Sequence, residues 1–452
     1  MLFRSLRKTV WTALLGLMLC TAFAVPTGAE APTIEELDID MAWAGHPVGF
    51  QLLTYPPKQF ATYYNAEQQM TVVSRNLDEE TWTRVELPEA IGWDSHNYIT
   101  MHIDDDEYIH LSGNLHVDPL VYFRTQEPLD ITTFARKPMV GELENRMTYP
   151  RFLRGPEDML LFRYRDGSSG SGNEIINRYD HETQTWHRLL DEPLVDGRGE
   201  QNAYFHGPLS GPDGYFHLCW VWRVTHHAET NNNPSYARSR DMVNWENSRG
   251  ESLELPITFE TGDIIDPIPP EGGIINGNVR LGFDLEDRPV VSYHKFDEDG
   301  NTQLYNTRLE DGEWVIYQSS DWDYRWWFHG GGSLNFEVRV NAIRREGDTL
   351  TQTWTHSQYG TQRWRLDPET LEAIEQLELP PDPVPSELRQ VRSDFPGLST
   401  RIQNDSGRSG EAGVRYVMRW ETLPSNRDRP HPEPHPGPTP LQLYRIGPPA
   451  GE

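Results

Sequence analysis

Asp180-His181-Glu182-Thr183-Gln184-Thr185-Trp186 is an acidic turn that runs into a tryptophan, and the chain repeats it. Asp78-Glu79-Glu80-Thr81-Trp82, Asp130-Ile131-Thr132-Thr133-Phe134, Asp241-Met242-Val243-Asn244-Trp245, Asp311-Gly312-Glu313-Trp314 and Asp367-Pro368-Glu369-Thr370-Leu371 carry the same element. Their last residues are 52, 52, 59, 69 and 57 positions apart in chain order. A unit of that size fits one four-stranded propeller blade, and the chain length holds about seven of them. Ser239-Arg240-Asp241 before Trp245 is a shortened form of the Asp-box.

Short alternating runs lie between these turns. Tyr98-Ile99-Thr100-Met101-His102-Ile103, Tyr108-Ile109-His110-Leu111, Leu160-Leu161-Phe162-Arg163-Tyr164 and Pro289-Val290-Val291-Ser292-Tyr293 are each bounded by Asp, Gly, Asn or Pro, and they read as strands. Sustained helical periodicity is nearly absent. The expected fold is all-β, a seven-bladed β-propeller of mainly four-stranded antiparallel blades, occupying residues 32–452 as one domain. The stretch 426–440, rich in Pro and His, lies between two strand-like pieces and reads as a long loop inside the last blade.

Composition narrows the partners. With 40 Lys+Arg against 69 Asp+Glu in 452 residues, the formal net charge is -29, which argues against nucleic acid or an anionic membrane as the main partner. Fifteen Trp, 19 Tyr and 16 Phe supply a large core. Arg4, Arg7 and Lys8 precede an apolar run from Val10 to Val25, the pattern of a signal peptide over 1–31 with cleavage after about residue 24 or 31. A secreted or periplasmic protein is expected, acting as a monomer. Once Cys20 leaves with the signal, Cys219 has no partner for an internal disulfide.

Three segments carry more reactive side chains than a blade needs. In Trp93-Asp94-Ser95-His96-Asn97-Tyr98 and Leu111-Ser112-Gly113-Asn114-Leu115-His116, the histidines His96 and His116 sit on turn-rich ends that one hairpin brings together. Asn97 is a substrate-binding candidate beside them. In the second, Met147-Thr148-Tyr149-Pro150-Arg151-Phe152 precedes Leu161-Phe162-Arg163-Tyr164-Arg165, and Arg165 ends a strand before a Gly/Ser turn. Its guanidinium can take a bound carboxylate through two parallel hydrogen bonds. Arg163, Tyr164 and Arg178 are further substrate-binding candidates, with Tyr164 expected on the opposite strand face from Arg165. The third, Tyr215-Phe216-His217-Leu218-Cys219-Trp220, places His217 and Cys219 on one face, where they could share Zn²⁺ with His206 and His294; a buried thiol beside a structural histidine is the alternative. Trp322, Arg325, Trp326, Trp327 and His329 could form a sugar-stacking wall, with Trp326 the chosen binding candidate, although core packing explains tryptophans equally well.

These motifs resemble those of BNR-type seven-bladed propellers that include the ulvan lyases. The resemblance runs through Ser95-His96-Asn97-Tyr98, Ser112-Gly113-Asn114-Leu115-His116, Thr148-Tyr149-Pro150-Arg151-Phe152, Phe162-Arg163-Tyr164-Arg165, Trp220-Val221-Trp222-Arg223, Ser292-Tyr293-His294-Lys295 and Trp420-Glu421-Thr422-Leu423-Pro424. It implies β-elimination at a uronate of an anionic polysaccharide, with ulvan as substrate. Arg165 would neutralise the carboxylate, and His96, His116 and Tyr149 would supply base and acid. A structural zinc is implied as well, and no organic cofactor. A sialidase-like hydrolase and a non-catalytic glycan-binding propeller are the competing readings, since fold alone does not fix activity.

Overall fold

A computed structural model describes residues 32–449; the expected signal peptide at 1–31 lies outside the described residues. Helix is limited to single 3-10 turns such as Ser95–Asn97, and the strands fall into seven antiparallel sheets. Each sheet is a meander built largely from strands adjacent in sequence, so hairpin turns do most of the connecting.

All six repeated acidic turns occupy one structural position. Each joins the third strand of a four-stranded meander to its fourth, as Ser171–Asp180 to Thr185–Arg188 (not counting the added strand His116–Asp118) and Asn231–Ser239 to Trp245–Glu246 do. The chemistry explains the recurrence. Asp241 accepts from the backbone N–H of Val243 and Asn244 at 2.8 and 2.7 Å, while Ser239 donates to Asn244 O at 2.6 Å. Burial works against the Asp241 carboxylate, but these bonds outweigh it and bring it down to about 2. The turn then delivers Trp245 into the core, where it is 1% exposed. In the sheet that contains both chain ends, strand Pro32–Ala42 pairs antiparallel with Thr439–Pro449, which pairs with Arg415–Thr422.

The core lies between neighbouring sheets. Leu161 and Ile176 of one pack with Trp220, Trp222 and Trp245 of the next, and Cys219, Val221 and Tyr236 of that sheet pack with Leu281, Val291 and Tyr293 of the one after. Phe50 stacks on Trp420 at 4.5 Å, joining the chain's first sheet to its last. The tail loop, between Arg415–Thr422 and Thr439–Pro449, runs over the same ends of the sheets as the His96 turn, and Trp93 packs on its His435 at 4.7 Å.

Candidate active site

The pairing Ile99↔Gly113 closes the hairpin of Ile99–Ile103 and Ile109–Gly113, so residues just before 99 and just after 113 meet. Gly113 makes the approach possible: a Cβ there would sit 2.7 Å from Tyr98 O. The chain then leaves its own sheet, and the short strand His116–Asp118 pairs with Met147–Arg154 of the next, Thr148↔His116. That crossover carries His116 towards both His96 and Tyr149.

Asp94 organises the histidines. It caps the turn Ser95–Asn97 by accepting from His96 N at 2.8 Å, and its Oδ1 lies 2.6 Å from His96 Nδ1. Its Oδ2 bonds His116 Nδ1, and the two imidazoles stack with centroids 3.9 Å apart. Burial disfavours the Asp94 carboxylate, yet the bonds from His116 and His96 outweigh it and hold the group far below the usual range. Both Nδ1 atoms are thus engaged, and each Nε2 is left for chemistry. Below them, Asp428 of the tail loop accepts from Ser95 N at 3.1 Å, Ser95 Oγ at 2.7 Å and Ser333 N at 2.9 Å. It also lies 3.4 Å from His46 Nε2 and 3.8 Å from His96 Nδ1.

Tyr149 sits in a bulge. Thr148 pairs with Arg165 and Arg151 with Arg163, so Tyr149 and Pro150 together oppose Tyr164, and Tyr149 takes φ 60. Asn114 and Val117, at φ 58 and 65, share this left-handed backbone, so strain is concentrated around the His116 crossover. The Tyr149 ring lies 5.4 Å from His96, 6.0 Å from Tyr204 and 5.0 Å from the Arg165 guanidinium. Arg165 is 3% exposed and donates to Thr148 Oγ1 at 3.1 Å; its Nε and Nη1 are buried without a partner among the described residues. Gly172 gives its stem room, for a Cβ there would meet Arg165 Cδ at 2.5 Å.

Tyr204, which sequence reasoning missed, completes the group. Its hydroxyl lies 2.7 Å from Ser169 Oγ, and the Arg223 guanidinium is 5.4 Å from its ring. Burial opposes ionisation of Tyr204, but Arg223, Arg165 and the bond from Ser169 overcome it and lower the phenol. Burial pushes Tyr149 far up, and negative charge on Tyr204 adds to that. The two phenols are thus pushed apart, Tyr204 down and Tyr149 up. A cavity of about 250 Å³ opens here, lined by Tyr149, Tyr204, Arg151, Arg163, Arg165 and Glu174. Glu174 Oε1 lies 2.8 Å from Arg163 Nε, and burial pushes Glu174 up to about 7 against both arginines.

His96, His116, Tyr149 and Arg165 are thus brought together, with Arg163 on the cavity wall. Asn97 lies beneath the histidines, 9% exposed, donating to Asn114 Oδ1 at 2.8 Å. Tyr164 points into the core, where Arg188 donates to its hydroxyl at 3.0 Å. Arg178 pairs with Leu161 whereas Glu174 pairs with Arg165, which puts Arg178 about 13 Å further along the strand, away from the cavity. Trp326 is 3% exposed and packs on His294, Phe328 and Phe336, while its neighbour Trp327 is 50% exposed.

The four zinc candidates are not gathered. His217 has both nitrogens occupied, Nδ1 by Tyr236 at 2.7 Å and Nε2 by Asp213 at 2.9 Å. Burial pushes the Cys219 thiol up to about 12, and its Sγ donates weakly to His206 O at 3.8 Å. Burial brings His206 down to about 4 and His294 to about 3, and both His294 nitrogens lack a partner. Among the described residues the three donors that do converge are Asp94, His96 and His116. The expected ligand set is therefore corrected: among the described residues no three of the four converge on one point.

Comparison with known proteins places the fold and the family. An ulvan lyase, short isoform, of Alteromonas sp. (strain LOR) is 27% identical over 167 residues, 32% of this chain and 31% of that protein. A long isoform from Pseudoalteromonas sp. (strain PLSV) is 26% identical over 148 residues, covering 28% of this chain and 15% of that one. The aligned stretch thus spans about a third or less of these relatives. Among solved structures, the polysaccharide lyase Uly1 superimposes with a TM-score of 0.60 at 14% identity, covering 91% of this chain and 99% of that one. A PL25 ulvan lyase bound to GlcA(1-4)Rha3S gives 0.56 at 13% identity, covering 91% and 96%. Both share the fold. The BNR repeat-containing family matches residues 58–322, more than half of the sequence, and the chain is a member of that family.

Proposed function

We propose that this protein is an exported polysaccharide lyase that cuts a uronate-containing sulfated algal polysaccharide of the ulvan type by β-elimination. Its seven sheets are read as the blades of one propeller, closed where Pro32–Ala42 completes the last blade. The observation that carries the reading is a small cavity lined by Tyr149, Tyr204 and an arginine with free donors, with the carboxylate-held histidine pair adjoining it through the His96 and Tyr149 rings. The solved ulvan lyase complex adds support for an anionic sugar substrate.

Elimination breaks the C5–H and C4–O4 bonds of the uronate and leaves a C4–C5 double bond. C5–H is a weak acid, and its loss places charge on the carboxylate. Arg165 Nε and Nη1, buried and unbonded, take that carboxylate and stabilise the developing enolate, an effect strengthened by partial dehydration. Arg151, Arg163 and Arg223 add positive charge around it. Base and acid come from two sides. Tyr204, the phenol whose ionisation Arg223 and Arg165 favour, accepts the C5 proton, while Tyr149, whose phenol burial holds up, donates one to the leaving oxygen. On the other side, the imidazole Nε2 atoms, oriented through Asp94, serve a uronate whose C5 proton points the opposite way. Cations concentrated at the cavity resolve the conflict between an anionic substrate and an acidic protein, because surface charges further away are screened beyond about 8 Å.

Incubation with ulvan should raise ultraviolet absorbance as unsaturated uronate ends accumulate. Chain shortening without that rise would defeat the proposal.

A further inference from the structure

A larger open cavity lies elsewhere, between the sheet that ends in Glu313–Gln318 and the one containing Thr349–His356 and Gly360–Leu366, and it has the opposite electrostatic character. Its volume is about 620 Å³, more than twice that of the arginine-lined cavity. Trp322, Trp354, Trp364 and Tyr359 form its walls, with Gln318, Gln362, Asp321 and Glu372 among them. Trp322 and Trp354 meet edge to face at 5.0 Å, and Trp364 Nε1 donates to Gln362 Oε1 at 3.0 Å, so the aromatic walls are fixed in position. Tyr359 is 42% exposed and offers an open ring face.

Two carboxylates set the selectivity. The Asp321 and Glu372 side chains make no ion pair or hydrogen bond among the described residues. No Lys, Arg or His lines the cavity. A sulfate or uronate entering it would meet two carboxylates and no counter-charge, which disfavours it relative to an uncharged sugar. An uncharged pyranose fits instead: its C–H face stacks on the open Tyr359 ring, and vicinal hydroxyls donate to the free Asp321 and Glu372 carboxylates.

The geometry points to a second carbohydrate site in this cavity, one that takes a neutral sugar and holds the protein on an uncharged glycan while the arginine-lined cavity handles the charged one.

The test is direct binding with the full chain, by titration calorimetry against xylo-oligosaccharides, gluco-oligosaccharides, L-rhamnose and, as the charged probe, D-glucuronate. Saturable binding of at least one neutral probe is expected, weakened tenfold or more by Tyr359→Ala and by Asp321→Asn, and unchanged by Arg165→Ala. Circular dichroism confirms that each variant is folded. No saturable binding by any neutral probe would overturn the inference, as would neutral-probe binding that Arg165→Ala abolishes or that Tyr359→Ala and Asp321→Asn leave intact. Glucuronate binding lost in Tyr359→Ala would overturn the claimed selectivity. Because the readout needs no cleavage, failure here leaves the lyase proposal standing, and failure of the lyase assay leaves this one standing.

Discussion

Asp94→Asn changes the one group on which both imidazoles converge while keeping its size. The carboxylate accepts from His96 N, His96 Nδ1 and His116 Nδ1 together. An amide has a single oxygen, so it can satisfy one imidazole and must present N–H donors to the other, forcing that ring to turn or to change tautomer. A hydrogen bond to a charged group contributes about 1.5–3 kcal/mol. Two such bonds weakened amount to roughly 3–6 kcal/mol, and at about 1.4 kcal/mol per factor of ten the rate at the uronate epimer served by the imidazoles should fall about 100-fold to 10,000-fold. The assay is the initial rise in ultraviolet absorbance on ulvan, with near-ultraviolet circular dichroism to show that the fold is kept. KM should move little, because Arg165 and the cavity wall are untouched. A loss of less than tenfold in a folded variant would refute the claim that Asp94 sets the histidines' orientation.

Asp428→Asn should lower kcat/KM about tenfold or more with the fold intact, because the tail-loop carboxylate holds the Ser95 N and Oγ donors that position the His96 turn; an unchanged rate would release the loop from any role in the site. Tyr204→Phe keeps the edge contact to Tyr149 and removes the phenol lowered by Arg223 and Arg165. Activity should drop about 100-fold, in the range general-base loss produces, and the tyrosine that ionises below 10.0 should vanish from the ultraviolet titration. Glu174 binds its proton more tightly folded, at about 7, than unfolded, at 4.5, because burial outweighs Arg163 and Arg165. Its stabilising contribution is complete below 4.5 and is lost as pH rises through about 7, so Glu174→Gln should flatten the fall in denaturation midpoint across that window, by up to about 3 kcal/mol.

Much of the fold was legible because its repeated unit is local. Asp180 or Asp241 closes its own turn with its own backbone, and the following aromatic enters the core, so a short window contains the whole device. The His96 and His116 pairing was legible for a similar reason: one hairpin makes it. Asp94 stood in plain view two residues before His96, but its significance depends on a crossover strand joining the next sheet. Tyr204 lies in another sheet, and Asp428 reaches Ser95 across 333 positions; neither has a local signal. Tyr164 followed from alternation, which turns it to Arg188. The zinc set was misjudged because strand alternation gives a face and not a distance, and His217 was already bonded to Tyr236 and Asp213.

The central claim is that the glycosidic bond is broken by elimination at a uronate held by Arg165. Mass spectrometry of the oligosaccharides released from ulvan tests it most directly, because elimination adds no water while hydrolysis adds one molecule per cut. The account predicts fragments that each lack that water and end in an unsaturated uronate, with none formed by Arg165→Ala. Fragments carrying one added water per cut, or undiminished cleavage by Arg165→Ala, would contradict it.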